Sequence, residues 1–331
     1  LFTEALWFKM DSDEWKTEAL AAYGEADSNL YDLCCKSYQI DEENLKWVTD
    51  MNFVNRLHNR KYLQEKVVEI GKENFAATIQ KFLEETVVQY LIFVHKKYPI
   101  DYICLAWGVV ANVIMNLNIY ERTPFKNIYI LPCFGDDGSA LGAAIISGLE
   151  RDNNLSWINT KTMPYWGPCY SRDEVLEALK NSWEKIYWED KNISWPEDAA
   201  QAISNGKIVA VFHGKMEFGP RALGNRSILA NPRDQKIREK MNLSIKRRPY
   251  FQPFCPSILE SERTRLFSLS YPNKHMTMAF RFREEFRSIL PSACHIDWTA
   301  RPQFVEQQDN ESYFRILSEL KRITGYGVVV N

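Results

Sequence analysis

Between residues 74 and 98 the apolar positions Phe75, Ile79, Phe82, Leu83, Val87, Tyr90, Leu91 and Val94 recur at intervals of three and four. This spacing predicts a long amphipathic helix packed on a core. His95 sits near its end, where the helix dipole favours it. Shorter helical patterns cover residues 1–8, 15–23, 139–149, 196–205 and 313–323. Another covers 175–186, opened by Ser171-Arg-Asp-Glu174, a capping box. Continuous apolar runs predict buried strands at 102–106, 127–131 and 327–331, and at 207–212 behind an Asn205-Gly206 turn. Residues 41–55 are polar and mixed and read as a connector. Residues 151–168 read as a linker, with a domain boundary near Tyr165. Strands alternating with helices place the chain in the α/β class.

Length agrees with about two domains. Hydrophobic content is 45% and charged content 25%, ordinary for a globular protein. No stretch is apolar enough to span a membrane, and the N-terminus has no basic signal-peptide region. The first residue is Leu1 and not Met, so a fragment or a processed chain is expected. The seven cysteines are odd in number and lack any Cys-x-x-Cys spacing, which points to reduced thiols in the cytoplasm and away from zinc.

Charge changes the picture in one place. From His213 to Arg248 there are ten Lys or Arg against three acids, whereas the chain as a whole carries −2. A cationic island in an acidic protein suggests a focused anion site, not a nucleic-acid coat. A solvated basic helix over 234–246 would give the same charge. Within the island, Arg221 and Arg226 stand beside Gly219 and Gly224, which permit close backbone approach. Lys246-Arg247-Arg248 can bracket a phosphate or carboxylate. Upstream, Gly108 and Asn112 follow a predicted strand and begin a helix, the geometry that receives phosphate. Asp136-Asp137-Gly138 ends another strand. Its carboxylates suit a metal, a ribose or base chemistry, and Asp137 or Ser139 could equally cap the next helix. His295 with Asp297 could form an acid–base pair, and Thr299 with Arg301 could approach an anion.

The order of residues is more specific than their charge. Gly214-Lys-Met-Glu-Phe-Gly-Pro-Arg-Ala-Leu-Gly-Asn-Arg-Ser-Ile-Leu229 resembles the signature of the O-carbamoyltransferases of nodulation-factor, cephamycin and tobramycin type. The likeness continues through Ile245-Lys-Arg-Arg248, Pro253-Phe-Cys-Pro-Ser257, His295-Ile-Asp-Trp-Thr-Ala-Arg-Pro-Gln303 and Asp136-Asp-Gly-Ser-Ala-Leu-Gly-Ala143. It implies a partial actin/Hsp70-like (ASKHA) domain over 1–165, similar to the universal tRNA threonylcarbamoyl transferase. A YrdC-like α/β domain, cut short, would follow over 166–331.

The implied function is to join carbamoyl phosphate and ATP into carbamoyl adenylate, then to pass the carbamoyl group to a hydroxyl of a sugar or natural-product acceptor. By the same resemblance, Lys246, Arg248, Arg221 and Arg226 are catalytic. Gly108, Asn112, Asp137, Gly138, Lys215, Ser227 and Arg301 hold the nucleotide, and Mg²⁺ accompanies ATP. Asp136 is a metal ligand, for Fe²⁺, with two histidines that would precede Leu1. A homodimer is compatible with the family, and a nucleic-acid partner is disfavoured. Trp7, Trp107 and Trp298 stand where the pattern has glycine, Pro249 where it has an acid and Gln252 where it has an arginine. Two rival readings follow: a non-catalytic nucleotide-binding relative, and an enzyme of the tRNA threonylcarbamoyladenosine type. With the histidine pair and a downstream Thr-Ser-Phe-Asn segment outside it, the chain is expected not to turn over alone.

Overall fold

The long apolar repeat folds as the helix Lys72–Lys97, whose buried face includes Phe75, Ala76, Val88 and Leu91. Its last turn carries His95, Lys96 and Lys97, as the dipole favours. The computed structural model describes residues 1–154, 156, 163–189 and 192–331, so part of the predicted linker lies outside the described residues. The architecture is mixed α/β. Helices Glu14–Ala21 and Val113–Arg122 both pack on the long helix. Strands Tyr102–Leu105 and Asn127–Ile130 pair in parallel across the helix that links them, Tyr102 opposite Asn127. They are not buried runs. Exposure alternates along the first, and Tyr102 is 69% exposed. The helix Asp137–Asp152 buries none of its residues, and its cap position, Asp136, makes no side-chain cap bond. The expected caps by Asp137 or Ser139 are therefore not made.

Residues 41–55 are not a connector. A hairpin of Tyr38–Asp41 and Lys46–Thr49 precedes the helix Met51–Leu57. Trp47 stacks on Tyr90 of the long helix at 5.5 Å, a tertiary anchor that local polarity conceals. Helices Ser28–Ser37 and Arg60–Ile70 also escaped the pattern; Asp27 and Asn59 cap them. The capping box at Ser171 and Glu174 is formed and opens the helix Arg172–Lys180.

Farther along, Val209–Phe212 pairs antiparallel with Arg226–Leu229. The fully buried strand Pro256–Leu259 lies between Gln303–Val305, parallel to it, and Val328–Val330, antiparallel. Helices Trp195–Ser204 and Glu311–Thr324 cover this region, burying Ala200, Ile203, Ile316 and Leu317 against Leu229, Val305 and Val329. The largest core joins both halves of the sequence, Leu91, Met115 and Ile130 packing in one cluster with Phe267, Phe280 and Phe304. The basic stretch is no solvated helix. Ile237–Lys240 is α-helical and Met241–Lys246 widens to a π-helix, with Ile237, Met241 and Asn242 buried. Arg247, at φ +46°, ends it and turns Arg248 inward.

Gly224 needs its lack of a side chain. Its φ is +115°, and a Cβ there would lie 2.4 Å from the ring of Tyr313. Gly224→Ala is expected to destabilise the protein by about 3 kcal/mol through overpacking and backbone strain, read as a lowered urea midpoint with unchanged slope.

Candidate functional site

The turn from Glu217 to Arg226 is built around one carboxylate. Glu217 is buried, and its Oε1 accepts from the backbone N–H groups of Leu223 at 2.7 Å, Asn225 at 2.8 Å and Arg226 at 3.2 Å. The closed turn presses Gly219 against the loop that follows strand Asn127–Ile130. A Cβ on Gly219 would lie 2.8 Å from the Pro132 carbonyl. Arg221 thereby reaches over the ring of Phe134, 5.6 Å from its centre. The Phe134 carbonyl in turn accepts from the Trp107 N–H at 2.8 Å. The motif turn and the two strand-end loops are thus one continuous surface.

Three more cations meet Arg221 there. Arg301 donates from Nη2 and Nε to Cys255 Sγ at 2.7 and 3.0 Å. Arg248 lies over the ring of Phe254 at 4.2 Å, with Lys246 at 5.3 Å from the same ring. Asn242 Oδ1 holds the Arg248 Nε–H at 2.6 Å. Burial, and then the charge of Arg301, press the Arg221 pKa down to about 9. Burial lowers Arg248 to about 10, with Arg301 adding to it, and burial with Arg248 lowers Lys246. A guanidinium keeps its proton at neutral pH, so the depressions at Arg221 and Arg248 express the free energy of holding like charges together away from water, while Lys246 stays exposed at the edge of the cluster. The buried Arg221 Nε has no hydrogen-bond partner. One acid stands close. Glu18 accepts from the N–H groups of Val113 and Ile114 at 2.8 and 3.3 Å, and its pKa is raised by burial against the pull of Arg301 and Arg221. Four cations facing one carboxylate and one thiol leave room for an anion.

The other sequence candidates lie elsewhere. Arg226 donates to the carbonyls of His213, Gly214 and Pro168 and stacks on Phe212 at 3.7 Å, stapling the strand pair. Ser227 is buried and its Oγ accepts from Gly224 N–H at 3.0 Å. Lys215 is exposed. Asn112 caps the helix Val113–Arg122 through Met115 N–H and exchanges hydrogen bonds with Gln80. Gly108 opens a 3-10 turn before it. Gly138 packs so closely that a Cβ would sit 2.2 Å from the Cys133 carbonyl. Asp136 and Asp137 are both exposed. His295 and Asp297 approach at 3.5 Å, but Asp297 also accepts from Thr299, and of the pair His295 is buried while Asp297 is partly exposed. Glu217 and Cys255 stand inside the quoted motifs but were not singled out as site residues, and Glu18 gave no signal because the N–H groups it holds lie 95 and 96 positions along the chain.

Comparison with known proteins gives the family of the chain. Residues 1–145 match the Carbamoyltransferase N-terminus and residues 200–331 the Carbamoyltransferase C-terminus. The chain belongs to the carbamoyltransferase family. It is 58% identical over 333 residues to the uncharacterised protein MJ1058 of Methanocaldococcus jannaschii, covering all of this chain and 55% of that protein. It is 30% identical over 368 residues to the uncharacterised protein sll1178 of Synechocystis, of which it covers 60%. With the nodulation protein NolO of Bradyrhizobium diazoefficiens it shares 29% identity over 331 residues and 59% of that protein's length. This carbamoyltransferase-family chain therefore spans between about half and three-fifths of these three relatives.

A metal at Asp136 finds no donor set here. Among the described residues no three His, Cys, Asp or Glu side chains gather as a metal site. A single exposed carboxylate does not define a transition-metal geometry, and no chemical step is assigned to one. Nor is any helix among the described residues long and apolar enough to cross a membrane.

Proposed function

We propose that this chain carries the donor site of a carbamoyltransferase and that Arg221, Lys246, Arg248 and Arg301 bind carbamoyl phosphate. The observation that supports the reading is the convergence of four cations with a single neighbouring carboxylate. Lys246 and Arg248 would bracket the phosphate, and Arg221 and Arg301 would neutralise charge as the phosphoryl oxygens react. The family likeness supports formation of carbamoyl adenylate from carbamoyl phosphate and ATP with one water consumed: hydrolysis of carbamoyl phosphate releases phosphate, and the freed carbamate attacks the α-phosphorus of ATP and expels pyrophosphate, with Mg²⁺ accompanying ATP. A hydroxyl of a small-molecule acceptor then attacks the carbamoyl carbon and AMP departs. On this reading residues 1–165 are part of an ASKHA-type domain and 166–331 a YrdC-like domain.

Calorimetric titration with carbamoyl phosphate tests the assignment. Binding to the parent chain should be lost in the Lys246→Ala/Arg248→Ala double variant, each lost charged hydrogen bond weakening it by about 1.5–3 kcal/mol. Both side chains are partly exposed, so the fold should persist by circular dichroism. Equal affinity in parent and double variant would overturn the assignment.

A further inference from the structure

A cavity of about 780 Å³ lies apart from the cation cluster. One wall is strand Asn127–Ile130, with Tyr129; the facing wall is the loops 271–277 and 306–309. Tyr165 joins the walls, and its hydroxyl donates to the Leu223 carbonyl at 2.9 Å. The cavity thus backs onto the turn that carries Arg221. Its charge is opposite in kind to the cluster's. Lys274 is held at 2.7 Å by both Glu306 and Asp309, so its positive charge is more than balanced. His275 is kept neutral: burial, with Lys274 beside it, pushes its pKa down to about 4. Among the described residues His275 is bonded through its backbone N–H alone, to Asn273 Oδ1 at 3.2 Å, which leaves the imidazole nitrogens for a ligand. Three tyrosine rings, carboxylate acceptors and a neutral imidazole suit a rigid ring with many hydroxyls, whose C–H faces lie on the aromatics. They do not suit a phosphate.

We propose that this cavity, set apart from the cation cluster, is a binding site for a neutral polyhydroxylated ring, a sugar or cyclitol. The binding does not rest on the carbamoyltransferase reading. Saturation-transfer NMR with methyl glucoside and with inositol tests it on the full chain, without ATP or donor. At least one probe should bind the parent and, with the same affinity, the Lys246→Ala/Arg248→Ala variant. Tyr129→Ala and His275→Phe should each weaken it about tenfold, or about 1.4 kcal/mol. No transfer to either probe, or unchanged affinity in both cavity variants, overturns the proposal. Carbamoyl phosphate titration of the same samples reports separately on the donor site, so the two readings can fail independently.

A second inference rests on the backbone alone. Eight described residues other than glycine have positive φ, and three are Trp7 at +62°, Trp107 at +93° and Trp298 at +65°. Tryptophan is 10 of 331 residues, so three in eight is far above its share. A bulky residue in this region is a genuine outlier. All three are exposed, at 53%, 73% and 48%, so no burial offsets the strain. Trp107 also has ψ 159°, a conformation essentially confined to glycine. Glycine is scarce, 14 of 331, against a usual share of about 7%. We infer that positions 7, 107 and 298 are glycine in the natural protein, their codons being read as glycine in the cell of origin. Peptide mass spectrometry of protein purified from that cell decides it. Masses lower by the tryptophan–glycine difference at the three positions are expected, and tryptophan masses there would overturn the inference.

Discussion

Replacing Glu217 by alanine should destabilise the protein by about 3–5 kcal/mol, because it strands three buried N–H groups at once. The N–H groups of Leu223, Asn225 and Arg226 all converge on its Oε1, and the side chain is 7% exposed. The turn is packed closely against Pro132 and Tyr313, which leaves little space for another group to take the carboxylate's place. Glu217→Gln keeps a carbonyl oxygen in the same position and should lose about half as much. Urea unfolding of the two variants measures the difference. Should alanine and glutamine cost alike and less than about 1 kcal/mol, the turn is held by its glycines and by Arg226 alone. Carbamoyl phosphate affinity should fall with Glu217→Ala even where the chain stays folded, since Arg221 rides on this turn.

The same residues show how far the sequence could be read. Helical spacing found the helix Lys72–Lys97, and Ser171 with Glu174 marked a cap that is formed, because both signals are local. The Lys-x-Arg triplet and the Gly-Pro-Arg turn stood out in the sequence, and Lys246, Arg248, Arg221 and Arg301 do come together. Arg226 and Ser227 share that motif but face the strand pair. Their polar atoms are taken up locally, Arg226 by the carbonyls of His213 and Gly214 and Ser227 Oγ by the Gly224 N–H. Glu18 lies 95 positions from the Val113 N–H it accepts, a pairing that no local pattern encodes. Trp47 on Tyr90 hid a hairpin inside a polar stretch for the same reason. The cavity at His275 was equally invisible, since its two walls are distant in the chain.

Glycine at positions 7, 107 and 298 should make the chain more stable by about 2–5 kcal/mol in all, through relief of left-handed backbone strain worth about 1–3 kcal/mol at each site. The three contributions should be unequal. Trp7 takes Lys72 over its ring at 4.9 Å and Trp298 takes Arg287 at 5.0 Å. Each such exposed contact returns about 0.5–1 kcal/mol that glycine forgoes. No cation or ring is placed on Trp107 among the described residues, it is the most exposed of the three, and its dihedrals are the least tolerated. Trp107→Gly alone should therefore supply most of the gain, with a melting temperature several degrees higher. The Trp107 N–H bond to Phe134 is a backbone contact and survives the change. Removing the indole also clears the strand end ahead of Gly108, where a phosphate could approach the N–H groups that precede the helix Val113–Arg122. ATP should accordingly bind Trp107→Gly more tightly than the parent by titration. A stability gain without a change in ATP affinity would leave the strain argument standing and remove the loop at Gly108 from the nucleotide site. Loss of stability in Trp107→Gly would show that the indole supports this turn and that its backbone is not strained.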